Sequence, residues 1–94
     1  MVSWRFYEKG SNRSFPFYRA TYGKYHKLSV YKINETKYSV VWSYGEVQDF
    51  KKYLEANDWD EAKATALSLV KDYLALQAVY WRDLKTGVNN WIDY

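Results

Sequence analysis

Ninety-four residues, no cysteine, one histidine and 21% aromatic side chains describe one small domain without disulfide or thiolate–zinc staples and without a cysteine nucleophile. A chain of this size buries only about 60–65% of its unfolded surface, so aromatic mass must stand in for the missing staples. The net charge of +3 divides unevenly: residues 1–45 hold eight Lys or Arg and two acids, and residues 46–94 hold six Lys or Arg and nine acids. Charge asymmetry of this kind can mark a polyanion-binding face.

Three of the four glycines and the single proline precede residue 46, as do most β-formers, so the first half reads as strands. In "VSWRFY" (2–7), Val2, Trp4 and Phe6 alternate with Ser3, Arg5 and Tyr7. Residues 8–14 are a loop of turn formers. "FPFYRATY" (15–22) is strand-like, and Pro16 belongs at its start or on an edge because it cannot donate to a ladder. Gly23-Lys24 is a turn. Residues 25–33 follow, with Leu28 and Val30 on one face and Tyr25, Lys27, Ser29 and Tyr31 on the other. Asn34-Glu35 suits a short hairpin. Residues 36–44 alternate most clearly, Tyr38, Val40, Trp42 and Tyr44 against Lys37, Ser39, Val41 and Ser43.

The period changes after Gly45. Residues 46–57 fit either a helix, through Val47, Phe50, Tyr53 and Leu54, or a further strand; the balance leans to helix. From Asp58 the Ala- and Leu-rich sequence reads as a helix over 59–85 within a helical segment 58–86. Asp58 is the N-cap, Glu61 the fourth member of a capping box, and Gly87 the stop. The helix carries one stripe through Trp59, Ala62, Ala66, Leu69, Tyr73, Leu76 and Tyr80 and a second through Leu67, Val70, Leu74 and Trp81. Together they are wider than one sheet contact requires, which points to a second copy packed on the C-terminal helix, or to another protein. Residues 87–94 are a tail whose Trp91, Ile92 and Tyr94 are expected to dock. The expected fold is α+β: an antiparallel meander of three to four strands, with 1–45 as its basic part, packed on one long C-terminal helix.

The catalytic inventory is poor. His26 stands alone in a strand, no serine lies in a G-x-S-x-G turn, and no glycine pattern could cradle phosphate. Asp58, Asp60 and Glu61 read as helix N-terminal acids rather than metal ligands. Glu35-x-Lys37 and Glu61-x-Lys63 echo only half of a nuclease-type carboxylate–lysine pattern. The expectation is therefore no enzyme, no metal and no cofactor. The first ten residues carry charge and hold no apolar run of signal length, and no stretch reaches the ~20 apolar residues of a membrane span. A cytoplasmic protein without a membrane partner is expected.

Assigning alternate strand residues to opposite faces collects Val2, Trp4, Phe6, Leu28, Val30, Tyr38, Val40 and Trp42 as core. The other face collects Arg5, Tyr7, Tyr25, Lys27, Ser29, Tyr31, Lys37, Ser39 and Ser43. One side of an antiparallel sheet is often simply solvated. Tyr and Arg are also what interface centres favour, and cations beside rings are what unpaired nucleic acid binds. The expected partner is a protein or nucleoprotein, with free nucleic acid as the alternative. The expected contacts are Arg5, Tyr7, Tyr25, Lys27, Tyr31 and Lys37, with Arg19 contributing from an edge. Tyr31→Ala is expected to cost binding and little stability. No motif names a family; small size, no cysteine, many Tyr and Trp and no catalytic set match the style of small phage or mobile-element proteins, including inhibitors of host defence and accessory proteins.

Overall fold

The computed structural model describes residues 2–8 and 15–92, with side chains through Val79 and at Arg82. Five strands precede one helix: β1 (Arg5–Tyr7), β2 (Phe17–Tyr22), β3 (His26–Lys32), β4 (Lys37–Tyr44), β5 (Val47–Glu55) and α1 (Trp59–Ile92). The strands pair in chain order, each antiparallel to the next. This is the expected α+β meander and helix, with one or two strands more than expected. The first strand is shorter than residues 2–7, and residues 9–14 of the expected loop lie outside the described residues.

The segment 46–57 is a strand and not a helix. Gly45 takes φ 59° and Glu46 a negative φ, the signs of a type II′ two-residue hairpin, and Tyr44 pairs with Val47 across it. The next pair is Ser43 with Gln48, followed by Trp42 with Phe50, so Asp49 is the extra residue of a β-bulge. The bulge explains the helical look of this segment. It spaces the core-side residues Val47 and Phe50 by three positions, and the polar Lys52 at the next core-side position leaves Leu54 four further on, so the apolar residues fall at helix-face intervals. The other hairpins follow local chemistry. Gly23, also at φ 59°, opens the β2–β3 turn. The Asn34 side-chain oxygen accepts from the amides of Thr36 and Lys37 at 3.0 and 2.9 Å, an Asx turn between β3 and β4. Pro16 lies just before β2, and its carbonyl accepts from Lys32 N–H at 3.0 Å.

One sheet face and α1 enclose the core: Leu28, Val30, Tyr38, Val40 and Trp42 meet Ala62, Ala66 and Val70, with Trp4, Phe50, Leu54, Trp59, Leu69 and Tyr73 packed around them. The alanines let the helix backbone approach the sheet. Trp59 fixes its first turn, with ring centroids 4.9 Å from Tyr18, 5.3 Å from Tyr38 and 5.9 Å from Phe6. Asp58 caps it by accepting from Glu61 N–H at 2.8 Å. The Glu61 carboxylate meets the Asn57 side-chain amide at 3.3 Å, an arrangement different from the reciprocal arm of a capping box.

α1 outruns the sheet. Its 34 residues measure about 51 Å at 1.5 Å per residue, and the molecule extends 57 × 25 × 24 Å. The radius of gyration is 16.6 Å, where a compact chain of this length has about 12 Å. The helix passes through Gly87 instead of stopping there; one glycine costs a helix about 1 kcal/mol and does not by itself end it. Residues 87–92 are therefore helix, and the expected docking of Trp91, Ile92 and Tyr94 lies outside the described side chains. Leu74 and Leu76, expected in the packed stripes, are exposed. No helix among the described residues is long and apolar enough to cross a membrane.

Candidate functional site

The sheet face opposite α1 is organised as rows across the strands. Arg5, Arg19, Ser29, Val41 and Lys51 are successive cross-strand partners on β1 to β5, and Tyr7, Phe17, Tyr31, Ser39 and Tyr53 form the neighbouring row. A row beginning with three rings thus lies beside one beginning with two guanidinium groups. Like charges directly opposite each other destabilise a sheet, so Arg5 and Arg19 need compensation. The Tyr7 ring supplies some of it, at 5.7 Å from the Arg5 guanidinium and 5.6 Å from that of Arg19. Arg19 also lies 4.9 Å from the Phe17 ring centroid and donates from Nε to Ser29 Oγ at 3.0 Å. Among the described residues, neither arginine has a carboxylate at ion-pair distance.

The rings of this face lie largely on one another. Tyr7 stacks on Phe17 at 4.8 Å and 10°, and Tyr31 tilts onto Phe17 at 4.7 Å. Phe17, although on the outer face, is 2% exposed. The ring row breaks at Ser39. The gap between Tyr31 and Tyr53 spans two strand spacings, about 10 Å, and forms a shallow depression of about 290 Å³ over Ser39 and Val41, walled also by Phe15, Ile33 and Lys51. Tyr53 is 53% exposed. Lys37 and Lys51 hold their ammonium groups 4.8 and 5.4 Å from its ring centroid, so both cations stand beside the depression.

Of the residues expected to bind, Arg5, Tyr7, Arg19, Lys27, Tyr31 and Lys37 lie on this face. Lys27 belongs to a third row with Thr21, Ser43 and Gln48, away from the ring row. Arg19 is not at an edge: β2 lies between β1 and β3. Tyr25 is not on the face at all. It sits in the turn between β2 and β3, against Tyr44 at 5.4 Å, because the three-residue turn ends the alternation there. Lys51 and Tyr53 were hidden by the helical reading of 46–57, although Lys51, Tyr53 and Glu55 alternate with Lys52 and Leu54. Phe17 carried no sign of its place under Tyr7 and Tyr31.

His26 is on the core side, stacked on Trp42 at 5.3 Å and 21°. Among the described residues no three His, Asp or Glu side chains are grouped to hold a metal ion. Comparison of the chain with protein-family models, curated proteins and solved structures finds no match.

Proposed function

We propose that this chain is a non-catalytic binding protein whose outer sheet face docks an acidic surface of another protein. The observation that carries this reading is the adjacency of the two rows: cations at Arg5, Arg19 and Lys51 beside rings that are interrupted over Ser39. Basic groups steer and orient an acidic partner, and a depression of this size accepts one apolar or aromatic anchor from it. In the same reading the protein works in the cytoplasm, and the phage-type accessory or inhibitor role is the setting that its composition favours.

Free nucleic acid is the second reading, favoured by the tyrosines flanking one slot with two lysines at its side. Base stacking along a strand needs successive open ring faces. Tyr7, Phe17 and Tyr31 pack on one another, and this favours the protein partner. Fluorescence anisotropy of labelled single- and double-stranded DNA and RNA at about 50 and 200 mM salt tests the choice, because phosphate contacts weaken steeply over that range. The expected outcome is no tight binding at the lower salt. A pull-down then captures a partner that is lost with Arg19→Glu and with Tyr53→Ala and kept with the helix variant Leu76→Glu. Micromolar, salt-sensitive nucleic-acid binding that falls with Lys37→Ala and Lys51→Ala overturns the protein reading. A captured protein indifferent to Arg19 and Tyr53 rejects this face as the site.

A further inference from the structure

Arg5 and Arg19 are direct cross-strand partners on the outer face, and both guanidinium groups reach the same ring, at 5.7 and 5.6 Å from the centroid of Tyr7. Like charges so placed repel. Ring contacts soften that repulsion without supplying a negative charge. Glu55, the acid at a paired strand position of this face, stands opposite Lys37 on the far edge strand, and among the described residues neither arginine forms an ion pair. Arg19 is also held in place. It is half-buried, donates from Nε to Ser29 Oγ at 3.0 Å and rests 4.9 Å from the centre of the Phe17 ring. Ser29 is itself buried. The terminal nitrogens of Arg19 keep four N–H donors, and exposed Arg5 adds five. Two adjacent cations, one of them preorganised, with donors to spare suit an oxyanion.

We infer that Arg5 and Arg19 together hold the phosphate group of a phosphorylated side chain on the partner protein. The inference rests on the outer face being the docking face and names what its basic end recognises. Charge selects phosphate over a carboxylate. A carboxylate has one charge and two oxygens, which a single guanidinium fork satisfies, and the second arginine would stay uncompensated. A phosphate monoester carries about −1.5 to −2 charges and three acceptor oxygens at pH 7, enough for both. The same count disfavours a nucleic-acid backbone, whose diesters carry one charge each. The row then supplies a second contact. From Arg19 it runs over Ser29 to Val41, two strand spacings or about 10 Å, and Val41 lines the depression of about 290 Å³. Three residues of extended chain cover that distance. The bound segment therefore lies across the strands, with an apolar side chain three residues from its phosphate.

NMR titration of the full chain with phenyl phosphate, phenyl sulfate and dimethyl phosphate, followed at the arginine Nε–H signals, tests the anion site. Phenyl phosphate should shift the signals of Arg5 and Arg19. Phenyl sulfate, of the same shape with one charge, should bind about tenfold more weakly, the scale of one charged contact. Arg5→Gln, at an exposed position, should cost phenyl phosphate about tenfold and leave the circular dichroism unchanged. No shift at either arginine overturns the site, and equal binding of phenyl sulfate or dimethyl phosphate overturns the choice of a monoester. Peptides of one composition, with phosphoserine either three residues or one residue from a leucine, test the path along the row. The first should bind more tightly, and equal affinity overturns the extended path. Failure of the docking face itself looks different: a captured partner is then indifferent to Arg19 and Tyr53. A partner lost with Arg19→Glu yet still captured after phosphatase treatment keeps the docking face and overturns the phosphate inference.

Discussion

The hydroxyl of Tyr38 is buried without a hydrogen-bond partner among the described residues, in a ring that is 0% exposed and packed edge-on to Trp59. Desolvating such a group costs about 1–3 kcal/mol. Tyr38→Phe should therefore raise the urea midpoint, by about 1 kcal/mol in stability, without changing the slope; a loss would show that the hydroxyl is satisfied. Trp42, 5% exposed at the centre of the core, works the other way, and Trp42→Ala should cost about 3–5 kcal/mol in the same titration. Tyr31 is not the neutral probe of binding that its polar-face position implies. Its ring is half-buried and packs on Phe17, so Tyr31→Ala should lose about 1 kcal/mol for the aromatic pair and a further contribution for the ring's buried area. Tyr53 is the cleaner probe, since more than half of it is in water.

Two elements depend on single residues at their ends. Gly45 begins the turn that makes β5 a strand, and an added Cβ there meets nothing within 4 Å. The cost of Gly45→Ala is then purely that of the left-handed backbone, about 1–2 kcal/mol, visible as a lower melting temperature. Asp58 holds the first turn of α1 through Glu61 N–H, and Asp58→Ala should cost about 1 kcal/mol. β5 matters beyond stability because it brings Lys51 and Tyr53 to the depression. An edge strand of nine residues also invites pairing with other chains, and adjacent Lys51 and Lys52 at its centre oppose that by repulsion between copies.

At the scale of the molecule, the sheet separates two roles by its two faces. One face and the first turns of α1 make the core. The other face presents cations and an interrupted ring row, and the far end of α1 extends beyond both.

The alternation of Tyr38, Val40 and Trp42 with Lys37, Ser39 and Ser43, the turn residues Gly23, Asn34 and Gly45, and the Asp58 cap are local signals. From them alone follow an antiparallel meander, a long helix and which face of β3 and β4 is core, because side-chain period and turn chemistry are properties of neighbouring residues. Tertiary structure decided the rest. The bulge at Asp49 disguised β5, since a register shift exists only between paired strands. The rows Arg5–Arg19–Ser29–Val41–Lys51 and Tyr7–Phe17–Tyr31–Ser39–Tyr53 join residues up to 46 positions apart in the sequence. The alignment comes from the register of four hairpin pairings, to which every strand contributes and which no single segment encodes.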